Sequence, residues 1–279
     1  MTLALPTRDT LEARATAWAS MPDDALKREA AQAANARDID RLWGLCEAFL
    51  ATKSANRTRT SPNTVKAYRR GVLDLLEQWP HANLLRSSRN APDLYVMRLM
   101  LADLKPRTIA VKLGAAKLLY KTLRWAGTTT ADPFGDVKAP KDDTPAWEKR
   151  KPYTFEEIQA MRAKARPVDH ALILFGAHGG LRVAEMVDLL WSDVDLSAGT
   201  LVVRHGKGGK RRTVLLSPGM IRALEVLPRR NARVLGFTST SRARARMRSL
   251  TFRALVPYRG IHALRHYPAR GISGTPVRR

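Results

Sequence analysis

The stretch "GGLRVAEMVDLLWSDVDLSAGTLVVRHGKGGKRRTVLL", residues 179–216, decides how the second half of the chain folds. Its two glycines end one helical segment, and "LRVAEMVDLL" then resumes the helical period. From Thr200 onward the apolar residues follow strand spacing in "TLVVRH" and "RRTVLL", and the glycine-rich basic turn "GKGGK" separates these two runs. The stretch therefore predicts a helix followed by an antiparallel hairpin with a basic turn.

The residues upstream of this stretch predict further helices. In "TFEE", Thr154 can cap a helix while the side chain of Glu157, in the first turn, accepts a hydrogen bond from the backbone N–H of Thr154. This is the pattern of a capping box. The apolar run "HALILFGAHGG" that follows is typical of a buried helix. The second half of the chain is therefore expected to be mostly helical, with one small antiparallel sheet.

The first half shows only helical patterns. One helix is expected from Asp38 in "DIDRLWGLCEAFLATKS", and a second in "SPNTVKAYRRGVLDLLEQW", with Ser61 or Asn63 as its N-cap. A third fits "DLYVMRLMLADL", and a fourth fits "KPRTIAVKLGAAKLLYKTLRWAG", which Gly127 ends. These four segments predict a small all-helical domain.

Composition shifts along the chain predict its domain organisation. The segment 131–152 contains many prolines and charges with little apolar periodicity, which is typical of an interdomain linker. We expect an N-terminal extension at 1–37, a helical domain at 38–130, this linker, and a second domain at 153–279. The expected fold class is mainly α with a small antiparallel β-sheet.

The excess and the uneven distribution of basic residues indicate which class of molecule the chain binds. The chain has 49 Lys and Arg against 25 Asp and Glu, a formal net charge of +24. Residues 226–279 contain no acidic residue, and Arg recurs in "SRARARMRSLTFR". A coding bias towards Arg could also produce a basic surface, but the uneven distribution favours nucleic acid as the partner.

Several classes of protein are not expected. Cys46 is the single cysteine and cannot form an internal disulfide, and the sequence shows neither a leader nor a run of about 18 apolar residues. No His, Cys and Asp spacing indicates a metal site. We expect a reduced, soluble, cytoplasmic and nucleoid-associated protein with no cofactor, no membrane partner and no small-molecule substrate.

Four features could carry chemistry. Arg182 lies in "GGLRVAE" beside Glu185, Lys207 lies in the hairpin turn, and His262 and Arg265 lie three residues apart in "HALR". Taken singly, each has an ordinary structural alternative, since such residues are often solvated or salt-bridged.

In combination, the ordered motifs "GLRxxE", "GKGxKxR" and "HxLRH" resemble the catalytic domain of the tyrosine recombinases, or phage integrase family. "SPNTVKAYRRGVLDLL" and the stretch from "LKPRTIAVKLG" to "DPFGDVKAPK" look like that family's helical core-binding, SAM-like domain and linker. The resemblance runs from about Asp38 to His266 and implies site-specific recombination of DNA.

The resemblance implies a role for each residue. Arg182 and Arg265 would clamp the scissile phosphate, because a guanidinium neutralises two non-bridging oxygens with planar donors. Lys207, or alternatively Lys210, would protonate the leaving 5′-oxygen, and His262 would hydrogen-bond the phosphate or accept a proton from the nucleophile. Glu185 would orient its neighbours.

The resemblance is incomplete near the end of the sequence. In the family a later motif with a further His or Trp, and then a nucleophilic tyrosine, follow HxLRH, but neither that motif nor its tyrosine is present in the 14 residues after Arg265. Tyr258 and Tyr267 do not match the family position. We therefore expect a chain that binds DNA without cleaving it. The missing motif has three explanations: a frameshifted or truncated gene, a sequencing error, or a retained DNA-binding remnant.

Partner expectations follow from the charge and the resemblance. Double-stranded DNA is the expected ligand, and the family implies self-association as a tetrameric synapse. Helical amphipathicity places the candidate DNA contacts on polar faces of the first domain, with one more in the hairpin: Thr64, Lys66, Arg69, Arg107, Lys112 and Lys210. A non-catalytic DNA-binding regulator and a general RNA-associated basic protein are the alternatives.

Overall fold

The computed structural model describes residues 13, 15–18, 20–54, 60–88, 90–145, 148, 151–206 and 211–267. The chain divides into two compact units between Asp143 and Thr144, within the segment that the sequence predicts as a linker. Most described residues lie in helices, and the sheet has three antiparallel strands. The predicted fold class is confirmed.

The described part of the N-terminal unit contains five helices, two of which begin at a side-chain cap. Asp38 caps the second by accepting hydrogen bonds from the backbone N–H groups of Asp40 and Arg41 at 3.0 and 3.1 Å. Ser61, rather than Asn63, caps the third by accepting from Thr64 N–H at 3.2 Å. The bounds are α1 Asp23–Ala36, α2 Ile39–Lys53, α3 Pro62–Gln78, α4 Ala91–Leu101 and α5 Pro106–Trp125.

Close packing of α3 on α5 forms the centre of this unit. A Cβ added to Gly71 on α3 would lie only 2.5 Å from the Cβ of Ala115 on α5, so the two backbones approach closely there. Val72, Leu75 and Leu113 are buried beside this crossing. Any side chain at position 71 would force the two helices apart.

Two segments outside the expected helical domain also enter this core. Ala33 and Ala34 of α1 are buried with Leu42 of α2, although the sequence predicts residues 1–37 as an extension. Phe134, in the predicted linker, is fully buried and stacks on Trp79 with ring centroids 5.4 Å apart. A single buried aromatic leaves no periodic pattern, so local sequence does not reveal this contact.

The C-terminal unit combines short helices with the sheet. The Thr154–Glu157 capping box is confirmed, with hydrogen bonds of 2.9 and 3.2 Å. The bounds are α6 Phe155–Ala163, α7 Pro167–Ala177, α8 Val183–Asp188, a 3-10 turn at Trp191–Asp193, β1 Val194–Asp195, β2 Thr200–Val203, β3 Arg212–Leu215, α9 Pro218–Glu225, α10 Thr240–Arg253 and a 3-10 helix at Ile261–His266.

The sheet has the order β1-β2-β3, and Leu201 of β2 pairs with Val194 on one side and Val214 on the other. This register confirms the predicted hairpin; its basic turn, 207–210, lies outside the described residues. The buried helix α7 packs against α6, α8, α9, α10 and the 3-10 helix Ile261–His266. It is therefore the element that fixes the segments on either side of the candidate site.

Candidate active site

Arg182 immediately precedes α8 and is held there by Glu185. The backbone N–H of Arg182 donates to Glu185 Oε2 at 2.8 Å, and the guanidinium Nη1 donates to Oε1 at 2.9 Å. The turn before it depends on Gly180, whose φ of +59° is a conformation that side chains disfavour. The glycine pair that ends one helix thus lets Arg182 start the next.

A second arginine binds the same carboxylate from the hairpin. Arg212, at the start of β3, donates from Nη1 to Glu185 Oε1 at 2.9 Å and from Nη2 to Oε2 at 2.7 Å. The Glu185 side chain is only 2% exposed, whereas those of Arg182 and Arg212 are 34% exposed. One buried carboxylate therefore joins α8 to the hairpin that contains Lys207.

The charge state of Glu185 follows from these contacts. Burial by itself would raise its pKa, but hydrogen bonds from Arg212 and from the backbone and side chain of Arg182 outweigh burial and lower the pKa to about 2. The same bond to Glu185 raises the pKa of Arg212. The cluster thus carries one negative and two positive charges, and its net charge is positive at neutral pH.

His262 and Arg265 lie on the 3-10 helix Ile261–His266. His262 is exposed and Arg265 is half-buried, and the rings of His262 and His266 meet edge to face at 4.8 Å. Leu264 packs against α7, where a Cβ added to Gly176 would lie 2.7 Å from the Leu264 Cβ. This contact fixes the segment that contains both residues.

Tyr153 and Glu157, at the start of the C-terminal unit, hold the residues that immediately precede this 3-10 helix. Tyr153 is buried, and its hydroxyl accepts a 2.9 Å hydrogen bond from the backbone N–H of Arg259. The Arg259 guanidinium lies 5.6 Å from the centre of the Tyr153 ring and bonds to Glu157. Gly260, with φ +82°, then turns the chain into the 3-10 helix.

The C-terminal end of α7 brings two of the predicted motifs together. Gly176, beside Leu264, is near the end of α7, and Leu181 N–H donates back to Phe175 O at 2.9 Å just before Arg182. The segments of Arg182 and of His262–Arg265 are therefore anchored within two residues of each other along α7.

The remaining predicted catalytic positions are placed differently. Lys207 and Lys210 lie outside the described residues, in the segment that joins β2 to β3. Tyr258 is 37% exposed, and the Arg248 guanidinium lies 5.2 Å from its ring centre. Tyr267 is partly buried against the core.

The predicted DNA contacts of the N-terminal unit differ in exposure. Lys66 and Arg107 are exposed, Thr64 shares a 2.8 Å hydrogen bond with Ser61, and Arg69 donates to Asp40 at 2.7 Å. Lys112 departs from the expected solvent-facing position: its side chain is 17% exposed and bonds to Asp74 on α3. Asp74 lies far away in sequence, so amphipathicity alone could not predict this pair.

The arginine-rich stretch divides between two faces of α10. Arg246 and Arg253 turn inward and bind the buried carboxylate of Asp169 on α7. Arg242 and Arg244 remain exposed. Part of this basic sequence is therefore structural, and part remains open to a phosphate.

Sequence reasoning assigned no role to Tyr153, Arg259 or Arg212, although Arg212 is the last residue of the GKGxKxR motif. Arg212 stands in the run "GKGGKRR", where only the strand alternation with half-buried Val214 indicates an inward side chain. Within the described residues there is no cluster of three His, Cys, Asp or Glu that could hold a metal. No helix in that part of the chain is long and apolar enough to span a membrane.

Two sequence-family models match the two units. Residues 47–127 match the phage integrase N-terminal SAM-like domain, and residues 153–270 match the phage integrase family. The chain belongs to the phage integrase family of tyrosine recombinases. The catalytic-domain match includes Arg182, Glu185, His262 and Arg265.

Relatives within this family include bacterial tyrosine recombinases. The chain is 33% identical over 199 residues to XerC of Neisseria meningitidis serogroup B, covering 67% of this chain and 64% of that protein. It is 28% identical over 201 residues to XerC of Xanthomonas campestris pv. campestris, covering 68% and 60%. The matched region thus spans about 60% of the length of these relatives.

Solved structures share the fold. A lambda integrase dimer bound to a COC′ core site aligns with a TM-score of 0.64 at 17% identity, covering 83% of this chain and 68% of that one. A lambda integrase tetramer bound to a Holliday junction aligns with a TM-score of 0.63 at 16% identity, covering 82% and 69%. At this level of identity the likeness concerns the fold alone.

Proposed function

We propose that this phage integrase family member binds duplex DNA as part of site-specific recombination and activates a phosphodiester for strand breaking and rejoining. The observation that carries the proposal is the joint anchoring of Arg182 and of the His262–Arg265 segment at one end of α7. Two guanidinium groups and an imidazole on segments anchored at the same end of α7 suit a phosphate whose charge increases in the transition state.

Each residue has a defined part in this proposal. Arg182 and Arg265 bind the non-bridging oxygens, and His262 hydrogen-bonds the phosphate or accepts the proton of the nucleophile. Lys207 on the hairpin protonates the leaving 5′-oxygen, with Lys210 as the alternative. Glu185 holds Arg182 in place. None of these steps calls on a metal or a nucleotide cofactor.

We further propose that neither Tyr258 nor Tyr267 is the nucleophile. The Tyr258 ring lies against Arg248, and Tyr267 packs partly into the core. The expected behaviour of the 279-residue polypeptide, tested by itself, is DNA binding without a 3′-phosphotyrosyl link.

In this proposal each unit contacts DNA through its own exposed cations. Lys66 and Arg107 contact backbone phosphates from the N-terminal unit, and Thr64 and Arg69 support them there. Arg242 and Arg244 contact phosphates from α10. Self-association on DNA as a tetramer and association with the nucleoid belong to the same proposal, since the matching lambda integrase structures are a dimer and a tetramer on DNA.

The test begins with selection of a binding site from a random-sequence duplex pool, followed by titrations of that duplex, its single strand and an RNA duplex at several salt concentrations. We expect preference for the DNA duplex, and Arg182→Ala should reduce the salt slope by about 0.9, the value for one phosphate. Equal affinity for the RNA duplex would contradict the proposal. A denaturation-resistant adduct mapped to Tyr258 or Tyr267 would contradict the assignment of the nucleophile.

A further inference from the structure

The contacts of Glu185 are unequal. Arg212 binds both carboxylate oxygens with its two terminal nitrogens, at 2.9 and 2.7 Å. The side chain of Arg182 reaches only Oε1, through Nη1 at 2.9 Å. Arg212 therefore forms the bidentate pair, and Arg182 contacts the edge of a carboxylate that is already satisfied.

This inequality matters because a guanidinium has five N–H donors and a fixed planar shape. With Nη1 of Arg182 directed at Glu185, its other donors point elsewhere, and the side chain is 34% exposed. If Arg212 were absent, the buried carboxylate would lose two of its four hydrogen bonds, and Arg182 is the neighbouring guanidinium that could close on it to replace them. Its charge would then be neutralised.

We propose that Arg212 is a positioning residue that acts through Glu185 and keeps the guanidinium of Arg182 available to a phosphate. Because Arg212 begins β3, the same contact ties the hairpin that contains Lys207 to the helix that follows Arg182. The inference rests on the proposed function, because that proposal supplies the phosphate. The accessibility of the Arg182 guanidinium, however, can be measured without DNA.

The first experiment measures how fast phenylglyoxal modifies Arg182, by mass spectrometry of peptides from the full chain. Arg212→Met should slow this modification about fivefold, because Arg182 gains a charge-assisted hydrogen bond to Glu185. Adding Glu185→Gln to Arg212→Met should restore the rate to within about twofold of the starting protein, since an amide has no charge to capture Arg182.

A matched control is available on the same hairpin. Arg204 follows β2 and pairs with the buried carboxylate of Asp193, which does not contact Glu185. Arg204→Met should leave the modification rate of Arg182 unchanged. If Arg212 were only a structural cross-link, its loss would loosen the site and speed the modification of Arg182, and Glu185→Gln would not reverse the effect. That result would overturn the inference.

Thermal unfolding shows whether each variant is folded. If Arg212→Met is not folded, Arg212→Lys takes its place as the test variant. A lysine makes a single point contact with Glu185, so the modification of Arg182 should slow about twofold. An unchanged or faster rate in this folded variant would equally overturn the inference.

The second experiment separates this inference from the proposed function. On the selected DNA duplex, Arg212→Met should weaken binding about as much as Arg182→Ala, the double variant should add nothing, and Glu185→Gln should rescue Arg212→Met but not Arg182→Ala. If Arg182→Ala binds the duplex normally while the modification rates change as expected, the positioning role stands and the proposed phosphate contact fails.

Discussion

Replacing Glu185 by Gln should reveal a stability contribution that disappears in acid. The contacts with Arg212 and Arg182 lower the pKa of this carboxyl from 4.5 to about 2. At 1.36 kcal/mol per pKa unit, the difference corresponds to about 3 kcal/mol of unfolding free energy at neutral pH. The Glu185 side chain is 2% exposed, so solvent screening takes little from this figure.

The sign of the effect follows from the direction of the shift. A depressed carboxyl pKa stabilises the folded state above the unfolded value of 4.5, and the stabilisation is lost as pH falls towards about 2. The gap in unfolding free energy between the starting protein and Glu185→Gln should therefore be constant from pH 7 to pH 6. It should shrink by about 2 kcal/mol between pH 6 and pH 3.

Urea titrations read by fluorine NMR of 5-fluorotryptophan would measure this gap in the C-terminal unit. The resonance to follow is that of Trp191, the single tryptophan after residue 147. The exposed Glu225 provides a matched control. Glu225→Gln should change stability little at any of these pH values. A gap for Glu185→Gln that stays constant from pH 6 to pH 3, or widens in acid, would refute the argument that arginine contacts hold this carboxylate ionised.

Three further substitutions test local features by urea unfolding of the same protein. Tyr95→Phe should stabilise the N-terminal unit by about 1 kcal/mol, because the Tyr95 hydroxyl is buried with no hydrogen-bond partner among the described residues. Leu255→Gly should stabilise the C-terminal unit by about 0.5–1 kcal/mol, since Leu255 has φ +55° after the end of α10 and is 92% exposed. Gly176→Ala should destabilise that unit by about 1–3 kcal/mol through overlap with Leu264, and should weaken DNA binding by displacing His262. Unchanged stability of Gly176→Ala would mean that α7 and the 3-10 helix can separate without cost.

Local sequence was sufficient for the helices and the hairpin that it predicted, because their signals are local, whereas β1, α9 and α10 were not predicted. Ser61 followed by Pro62, and Thr154 answered by Glu157, begin helices through contacts three residues apart. The hairpin follows from strand alternation on both sides of a glycine-rich turn. The ordered motifs then indicated the family, and the family matches confirmed it.

The pairings that shape the site were beyond local sequence. Lys66 and Lys112 both lie on polar helix faces in the sequence pattern, yet only Lys112 meets a carboxylate from another helix. Likewise, the motif and the strand alternation distinguish Arg212 from Arg211, but neither reveals that its partner in the folded chain is Glu185, 27 residues earlier. Such choices depend on which elements the fold brings into contact.

These long-range pairs also explain why net charge alone overstates the DNA-binding surface. Within the described residues, four buried carboxylates bind basic side chains, and three of them pair with a residue at least 27 positions away in sequence. The pairs are Asp74 with Arg70 and Lys112, Asp169 with Arg246 and Arg253, Glu185 with Arg182 and Arg212, and Asp193 with Arg204. Removing a basic partner withdraws part or all of the compensation from a buried charge, so its first cost is stability. Removing an exposed cation such as Lys66 costs at most a phosphate contact and its counterion release. The salt dependence of DNA binding should therefore follow the exposed cations rather than the formal charge of +24, and the position of each buried acid determines which basic residues remain available to the duplex.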